Sequence, residues 1–126
     1  KKMSINKVSD NSYSINKNIR DNIPRYIISY ELKLSNWSEA LEQAIYNKKF
    51  SEYSFVILDA DRLLKKDSII QKYRNFNVGL IEMSDKGDMR ILYNPYKNRD
   101  IDKHSNFVKK ISFLKDYISK NKWVNL

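Results

Sequence analysis

Apolar residues recur in this chain with two periods, and their order predicts strands that alternate with helices. Residues 26–34 are rich in β-branched, aliphatic and aromatic residues, which predicts a buried strand. Asn36 is a suitable N-cap, and apolar residues then follow at spacings of three and four, which predicts a helix as far as about Lys48. Its buried stripe is expected to consist of Trp37, Ala40, Leu41, Ala44 and Ile45.

A second apolar run follows that helix at residues 53–58 and predicts a strand parallel to the first, so that the three elements form a βαβ unit. Residues 59–73 predict short helical segments. Residues 77–83 and 89–93 are expected to form an antiparallel hairpin around a turn at 84–88. Ser105 can cap a last helix, and residues 11–16 alternate weakly as a strand. The order of elements predicts an α/β fold.

Length and composition narrow the range of folds and functions. A chain of 126 residues suits one domain with one core, so we expect a single domain over residues 1–126. The chain contains no cysteine, which excludes disulfides and thiolate chemistry, and with His104 as the only histidine a zinc site is not expected. Neither a membrane span nor a signal-like apolar segment is evident, so a cytoplasmic location without membrane contact is expected.

The net charge of +9 makes a polyanion such as DNA or RNA the expected partner. Aromatic and basic residues alternate around Tyr96, Lys97 and Arg99, as on surfaces that bind nucleic acids, although a solvated loop fits the same pattern. Lys33 and Arg25 are further candidates for contacts with DNA.

Glu31 and Lys33 are the sharpest chemical signal in the chain. Residues two apart on a strand share a face and lie about 7 Å apart, so these side chains are expected to project together. A carboxylate can hold Mg²⁺, while a lysine can stabilise negative charge or orient an attacking water during phosphodiester hydrolysis. The pair therefore indicates a metal-dependent phosphodiesterase site, although a Glu-x-Lys pattern also occurs by chance.

The region around this pair resembles a known family. Residues 30–37 (YELKLSNW), residues 40–44 (ALEQA) and residues 53–57 (YSFVI) look like the PD-(D/E)xK nuclease superfamily. The resemblance implies the restriction-endonuclease-like fold, an α/β fold with a central mixed β-sheet flanked by helices. Residues 76–82 and 88–92 are similar to the later hairpin of those domains. The resemblance covers about residues 26–93.

This resemblance implies Mg²⁺-dependent cleavage of DNA, with Mn²⁺ as a possible substitute. Glu31 and Lys33 match the Glu-x-Lys motif of the family, and Gln43 matches its helix glutamine, although a solvent-facing residue fits Gln43 equally well. Glu31 would hold the metal together with a preceding aspartate and the main-chain carbonyl near Leu32.

The identity of that aspartate is open between two residues. Asp10 would lie opposite Glu31 if residues 13 and 15 formed a strand antiparallel to the Glu-x-Lys strand, and it is the preferred choice. Asp21 has the conventional spacing but leaves little room for two strands before Pro24. The helix that precedes the first strand in the family has no counterpart before Asp10, so the chain is expected to be a fragment, or its site to be degenerate.

Two functions remain open at this stage. The leading hypothesis is a Mg²⁺-dependent DNA nuclease with Asp10, Glu31, Lys33 and Gln43 in its site. The alternative is a catalytically degenerate domain that binds nucleic acid or a protein partner, including a larger polypeptide or a second copy of itself, without cutting. Asp59 and Asp61 also form a carboxylate pair, but the end of a strand and a helix cap explain them better.

Overall fold

The computed structural model describes residues 5–9, 12–15 and 21–120 of the chain, with side-chain detail from residue 21 onward. Contacts between Cα atoms divide the chain into two units. The larger unit is Tyr26–Asn106, and the other combines Lys1–Arg25 with Phe107–Leu126. The expectation of one domain over the whole chain therefore stays a prediction, and each unit is described by itself.

A four-stranded mixed sheet forms the centre of the larger unit, in the order β3-β4-β5-β6. The strands β3 (Ile28–Lys33), β4 (Tyr53–Asp59) and β5 (Gly79–Met83) are mutually parallel, and β6 (Met89–Tyr93) returns antiparallel to β5. The described fold is thus α/β with a mixed sheet and accompanying helices, as the sequence predicts.

Helix α1 (Trp37–Asn47) connects β3 to β4 and begins where its N-cap predicts. The side chain of Asn36 accepts a hydrogen bond of 3.0 Å from the backbone N–H of Glu39, which satisfies one of the free donors of the first turn. Ala40 and Ala44 are fully buried, and these small side chains let the helix approach the sheet closely. The predicted apolar stripe is confirmed, because Trp37 and Ile45 also pack against the core.

A hydrophobic core cluster lies on the helix side of the sheet. Val56 and Leu58 from β4 and Leu80 from β5 meet α1 there, and Ile69 and Tyr73 of helix α2 (Lys66–Asn75) join the same cluster. The Tyr73 hydroxyl donates a 2.8 Å hydrogen bond to the Trp37 carbonyl. Both helices therefore cover the same face of the sheet, and a short 3-10 helix (Ala60–Arg62) precedes α2.

Strand β3 differs from the expectation of a buried strand, because it lies at the edge of the four-stranded sheet. Its residues alternate between half-covered and exposed, and Tyr30 and Leu32 project on the side away from the helices. The physical reason is the register of β3 with β4: Glu31 is paired with Val56, a core residue, so Glu31 lies on the helix side and its apolar neighbours do not.

Buried polar side chains hold the segment after β6 against the amino ends of the parallel strands. The carboxylate of Glu52 accepts hydrogen bonds from the Ile27 N–H at 2.6 Å and from the Asn106 amide at 3.0 Å. Asn98 donates its N–H to the Glu52 carbonyl and its amide to the Lys48 carbonyl. These buried bonds fix where β3 and β4 begin, because each satisfies a group that water cannot reach.

Asn77 provides a second attachment for this segment and adopts a left-handed backbone with φ of 52°. Its side chain accepts hydrogen bonds from the Tyr96 N–H and the Tyr93 hydroxyl, and donates one to the Tyr96 carbonyl. Asparagine tolerates positive φ better than most residues, so one residue serves both the turn before β5 and the attachment.

In the other unit, β1 (Ile5–Ser9) and β2 (Ser12–Ile15) form an antiparallel pair. The weak alternation at residues 11–16 therefore predicted a strand correctly, but its described partner is β1, which the sequence did not predict, and not β3, as the placement of Asp10 opposite Glu31 assumes. Helix α3 (Lys103–Lys120) runs from the larger unit into this one. It begins earlier than predicted, because Asp102, and not Ser105, caps it by accepting the His104 N–H, while the Ser105 hydroxyl donates to the same carboxylate.

Replacing Gly79 with alanine is expected to destabilise the fold. The phenyl ring of Phe55 lies over Gly79, and an added Cβ would overlap three ring carbons that the strand backbone holds in place. Relieving this overlap should cost about 1 to 3 kcal/mol of unfolding free energy, measured by urea denaturation. Adding Phe55→Leu should recover part of that loss, and a Gly79→Ala variant as stable as the parent would contradict the account.

Candidate functional site

Glu31 and Lys33 lie together on the helix-covered side of the sheet, as their spacing predicts. They occupy alternate positions of β3, and each contacts helix α1. Asn47 donates a 3.0 Å hydrogen bond to Glu31 Oε1, and Lys33 Nζ lies 3.4 Å from Glu39 Oε1. The two functional groups are thus placed by a strand on one side and a helix on the other.

One flank of α1 carries the polar side chains of this arrangement. Glu39, Gln43 and Asn47 are spaced by four residues and therefore lie above one another along the helix. Glu39 contacts Lys33 and Asn47 contacts Glu31, while Gln43 lies between them on the same flank and is exposed. We call Glu31, Lys33, Glu39, Gln43 and Asn47 the strand–helix site.

The donor set of the strand–helix site fits a divalent metal only in part. Glu31 is half-buried and supplies one carboxylate, but the described residues include no group of three histidine, cysteine or acidic side chains. Asp10, the predicted first metal ligand, lies outside the described residues, and Asp21 is exposed in the smaller unit. Leu32 turns its side chain to the opposite face, and a role for its carbonyl stays a prediction.

A second ionic cluster lies farther along the same face and was not found from the sequence. Glu82 on β5 is nearly buried, and its Oε2 lies 2.7 Å from Lys66 Nζ as an ion pair, although no well-aligned hydrogen bond to this oxygen occurs among the described residues. Arg90 lies 3.9 Å from Oε1. In the strand register Lys33 is paired with Leu58, and Leu58 is paired with Glu82. Glu82 therefore lies two strands away from Lys33, at a distance of about 10 Å across the sheet.

Asp59 and Asp61 have the structural role that the sequence favours. Asp59 ends β4, caps the 3-10 helix through the Asp61 N–H at 3.0 Å, and lies 3.7 Å from the Arg62 side chain. The Asp59 carboxylate therefore already has a structural role at the end of β4.

The aromatic and basic residues Tyr96, Lys97 and Arg99 are exposed, but they lie at the other end of the sheet. The bond from the Asn98 N–H to the Glu52 carbonyl holds them near the amino ends of the strands, whereas Lys33 is at a carboxyl end. The length of β3 separates the two groups by about 16 Å. Lys97 Nζ lies 5.4 Å from the centre of the Tyr26 ring. Arg25 belongs to the smaller unit.

A polar cleft accompanies this second group. Its volume is about 340 Å³, and its walls are formed by Lys48, Asn77, Tyr96, Asn98, Arg99 and Asp100. Burial lowers the pKa of the Lys48 ammonium, and the nearby Asp100 carboxylate opposes that shift. The side chains of Asn77 and Asn98 form hydrogen bonds with the backbone around them. Their first role in the cleft is therefore to hold the segment after β6 in place.

Asn47 and Glu39 are the residues of the strand–helix site that the sequence interpretation did not place there. The signal was present, because Asn47 is four residues after Gln43 and eight after Glu39 on a helix whose buried stripe was correctly assigned. Extending the polar flank by one turn would have placed an amide next to the strand.

Replacing Asn47 with alanine should destabilise the chain, because it removes the described hydrogen-bond donor from a half-buried carboxylate. The expected loss is about 1 kcal/mol of unfolding free energy, measured by urea denaturation at neutral pH. Gln43→Ala is the matched control, since it shortens an exposed amide on the same flank, and its stability should equal that of the parent. Equal losses in both variants would mean that the bond to Glu31 contributes nothing specific.

Comparisons of the chain with models of known families, with curated proteins and with solved structures found no match. The resemblance to PD-(D/E)xK nucleases therefore rests on the residues of this chain. Its function has to be inferred from the strand–helix site and from the charge of the molecule.

Proposed function

We propose that this chain is a Mg²⁺-dependent phosphodiesterase domain of the restriction-endonuclease-like class that acts on DNA. The observation that carries the proposal is the common placement of Glu31 and Lys33 on one face of β3, beside a polar helix flank. A strand with this pair, a helix with Gln43 and a second parallel strand follow one another in the order that the resemblance implies.

Four residues of the strand–helix site have a defined task in this proposal. Glu31 holds the metal, and Asn47 fixes the orientation of its carboxylate through the 3.0 Å hydrogen bond. Lys33 neutralises negative charge on the scissile phosphate or orients the attacking water, and Gln43 contacts one of these groups from α1. The bound Mg²⁺ supplies charge compensation at the phosphate. The metal site needs a second carboxylate, for which the sequence favours Asp10, a residue outside the described part of the chain.

Changing either member of the pair should abolish cleavage without unfolding the protein. We expect Glu31→Gln and Lys33→Met to lower Mg²⁺-dependent DNA cleavage at least about 100-fold, because the first weakens the hold on the metal and the second removes the positive charge beside the phosphate. The measurement is product formation from labelled single-stranded and duplex DNA with Mg²⁺ or Mn²⁺.

Glu42→Gln is the matched control for these variants, since Glu42 is an exposed acid on the same helix, outside the strand–helix site. It should cut like the parent, and circular dichroism should show that all three variants melt as the parent does. If Glu31→Gln and Lys33→Met cut DNA as fast as Glu42→Gln, the assignment of this site is wrong.

A second candidate function is the binding of nucleic acid without cleavage. It is favoured by the contacts that Lys33 and Glu31 already make. Lys33 contacts Glu39, and among the described residues the structure offers Glu31 no group of acids to share a metal. The net charge of +9 still attracts a polyanion, and Lys97 and Arg99 are exposed. In this function the strand–helix site only stabilises the fold.

The dependence of DNA binding on salt separates the two functions. A binding domain should show steep weakening with added salt and no products at any Mg²⁺ or Mn²⁺ concentration. Lys97→Ala and Arg99→Ala should each lower the slope of log K against log salt by about one, because each removes a phosphate contact. Lys86→Ala, in the exposed turn between β5 and β6, is the control and should leave that slope unchanged.

A further inference from the structure

The polar cleft at the amino ends of the strands contains two positive side chains that the proposed catalytic site does not use. All the residues of its walls belong to the larger unit, so the cleft is formed within one unit. Lys48 and Arg99 supply the positive charge, and Asp100 supplies a carboxylate. We call this space of about 340 Å³ the Lys48 cleft.

The Lys48 ammonium is held at the wall of the cleft and is partly shielded from water. Its Nζ donates a 2.7 Å hydrogen bond to the Phe76 carbonyl, which leaves two of its three N–H donors for a ligand. Burial lowers the pKa of Lys48, although the Asp100 carboxylate opposes this shift. A partly shielded ammonium attracts an anion more strongly than one on an open surface, because less water lies between the charges.

Arg99 adds a second cation on a backbone that its neighbours hold in place. The Asn98 side chain donates to the carbonyls of Lys48 and Ser51 and accepts the Asp100 N–H at 3.1 Å. The Arg99 side chain is exposed and forms no ion pair with the described residues. Its guanidinium can therefore turn to an anion that Lys48 already attracts, and two such cations suit a phosphate group.

Tyr96 and Asp100 make the cleft suited to more than a bare anion. The Tyr96 N–H and carbonyl both bond to the Asn77 side chain, so a ring that is 63% exposed stands on an ordered backbone. A nucleobase can stack on such a ring. The Asp100 carboxylate repels a phosphate, but it can accept a hydrogen bond from a sugar hydroxyl. Aromatic ring, cations and acceptor thus match the three parts of a nucleotide.

We propose that the Lys48 cleft binds a nucleotide, with the phosphate at Lys48 and Arg99, the base on Tyr96 and a sugar hydroxyl at Asp100. The cleft volume is at the lower end of the range for small-molecule sites, which suits one nucleotide and not a duplex. That nucleotide is either free or the end of a DNA strand, where a sugar hydroxyl is also free. The proposal is independent of cleavage at the strand–helix site.

The test is calorimetric titration of the full chain with adenosine 5′-monophosphate, adenosine and inorganic phosphate. EDTA is present throughout, so that no metal takes part. We expect the parent to bind the nucleotide at least about 10-fold more tightly than either fragment, because stacking and charged hydrogen bonds both contribute. Lys48→Met should weaken nucleotide binding about 10-fold or more. Lys49→Met is the matched control, because the Lys49 ammonium lies over the Tyr46 ring, outside the cleft, and this variant should bind like the parent.

The stacking contact has its own pair of variants, which also covers the case that Lys48→Met fails to fold. Tyr96→Ala should weaken binding of the nucleotide about 10-fold and leave binding of phosphate unchanged. Tyr46→Ala removes an equally exposed ring outside the cleft and should change neither. Circular dichroism should show that both variants melt like the parent.

Three results would overturn the proposal: a parent that does not bind the nucleotide at millimolar concentration, phosphate that binds as tightly as the nucleotide, or equal weakening by Tyr96→Ala and Tyr46→Ala. Competition with a single-stranded oligodeoxynucleotide identifies the source of the ligand. An oligonucleotide that displaces the bound nucleotide from the parent but not from Tyr96→Ala assigns the cleft to strand ends. An oligonucleotide that leaves the nucleotide bound assigns the cleft to free nucleotides.

Discussion

The rest of the larger unit depends on the packing of both helices on one side of the sheet. Three parallel strands follow one another in spatial and sequence order, and the connections between them, which contain α1 and α2, cross the same face. The fully buried Ala40, Ala44 and Tyr73 make this layer dense. One face of the sheet is therefore filled by α1 and α2, while Tyr30 and Leu32 on the other face of the edge strand are exposed. The position of the candidate site beside α1 follows from this packing.

The helix-covered face is apolar in its centre and polar along the edge strand β3. This difference in polarity determines where the candidate catalytic residues lie. Val56 and Leu80 are fully buried beneath the helices, whereas Ser29, Glu31 and Lys33 on the neighbouring edge strand are half-covered. A half-covered carboxylate keeps access to solvent ions while its orientation is fixed by a neighbour. An edge strand beside a helix flank can therefore hold charged groups in fixed positions, which the centre of the sheet could not do without leaving them unsatisfied.

Local signals in the sequence sufficed for the elements of the larger unit, but not for their faces, and they did not predict β1. The Asn36 cap, the stripe from Trp37 to Ile45 and the run at residues 53–58 predict α1 and β4 because each depends on nearby residues alone. The exposure of Tyr30 and Leu32 depends on the register of β3 with β4 and on the side that the helices take, both of which are set by distant contacts. The roles of Glu52, Asn98 and Asn106 were equally inaccessible, because their partners are far away in sequence.

The candidate site shows the same division between local and distant information. The shared face of Glu31 and Lys33 follows from strand geometry, and it was predicted correctly. The contacts of Asn47 and Glu39 depend on how α1 crosses β3, and the pairing of Glu82 with Lys66 depends on how α2 lies over β5. Each contact that decides whether the site is catalytic or structural is therefore tertiary. Because pairing with Glu39 competes with a phosphate for Lys33, and this exposed ion pair is weak, a bound polyanion can displace it at little cost.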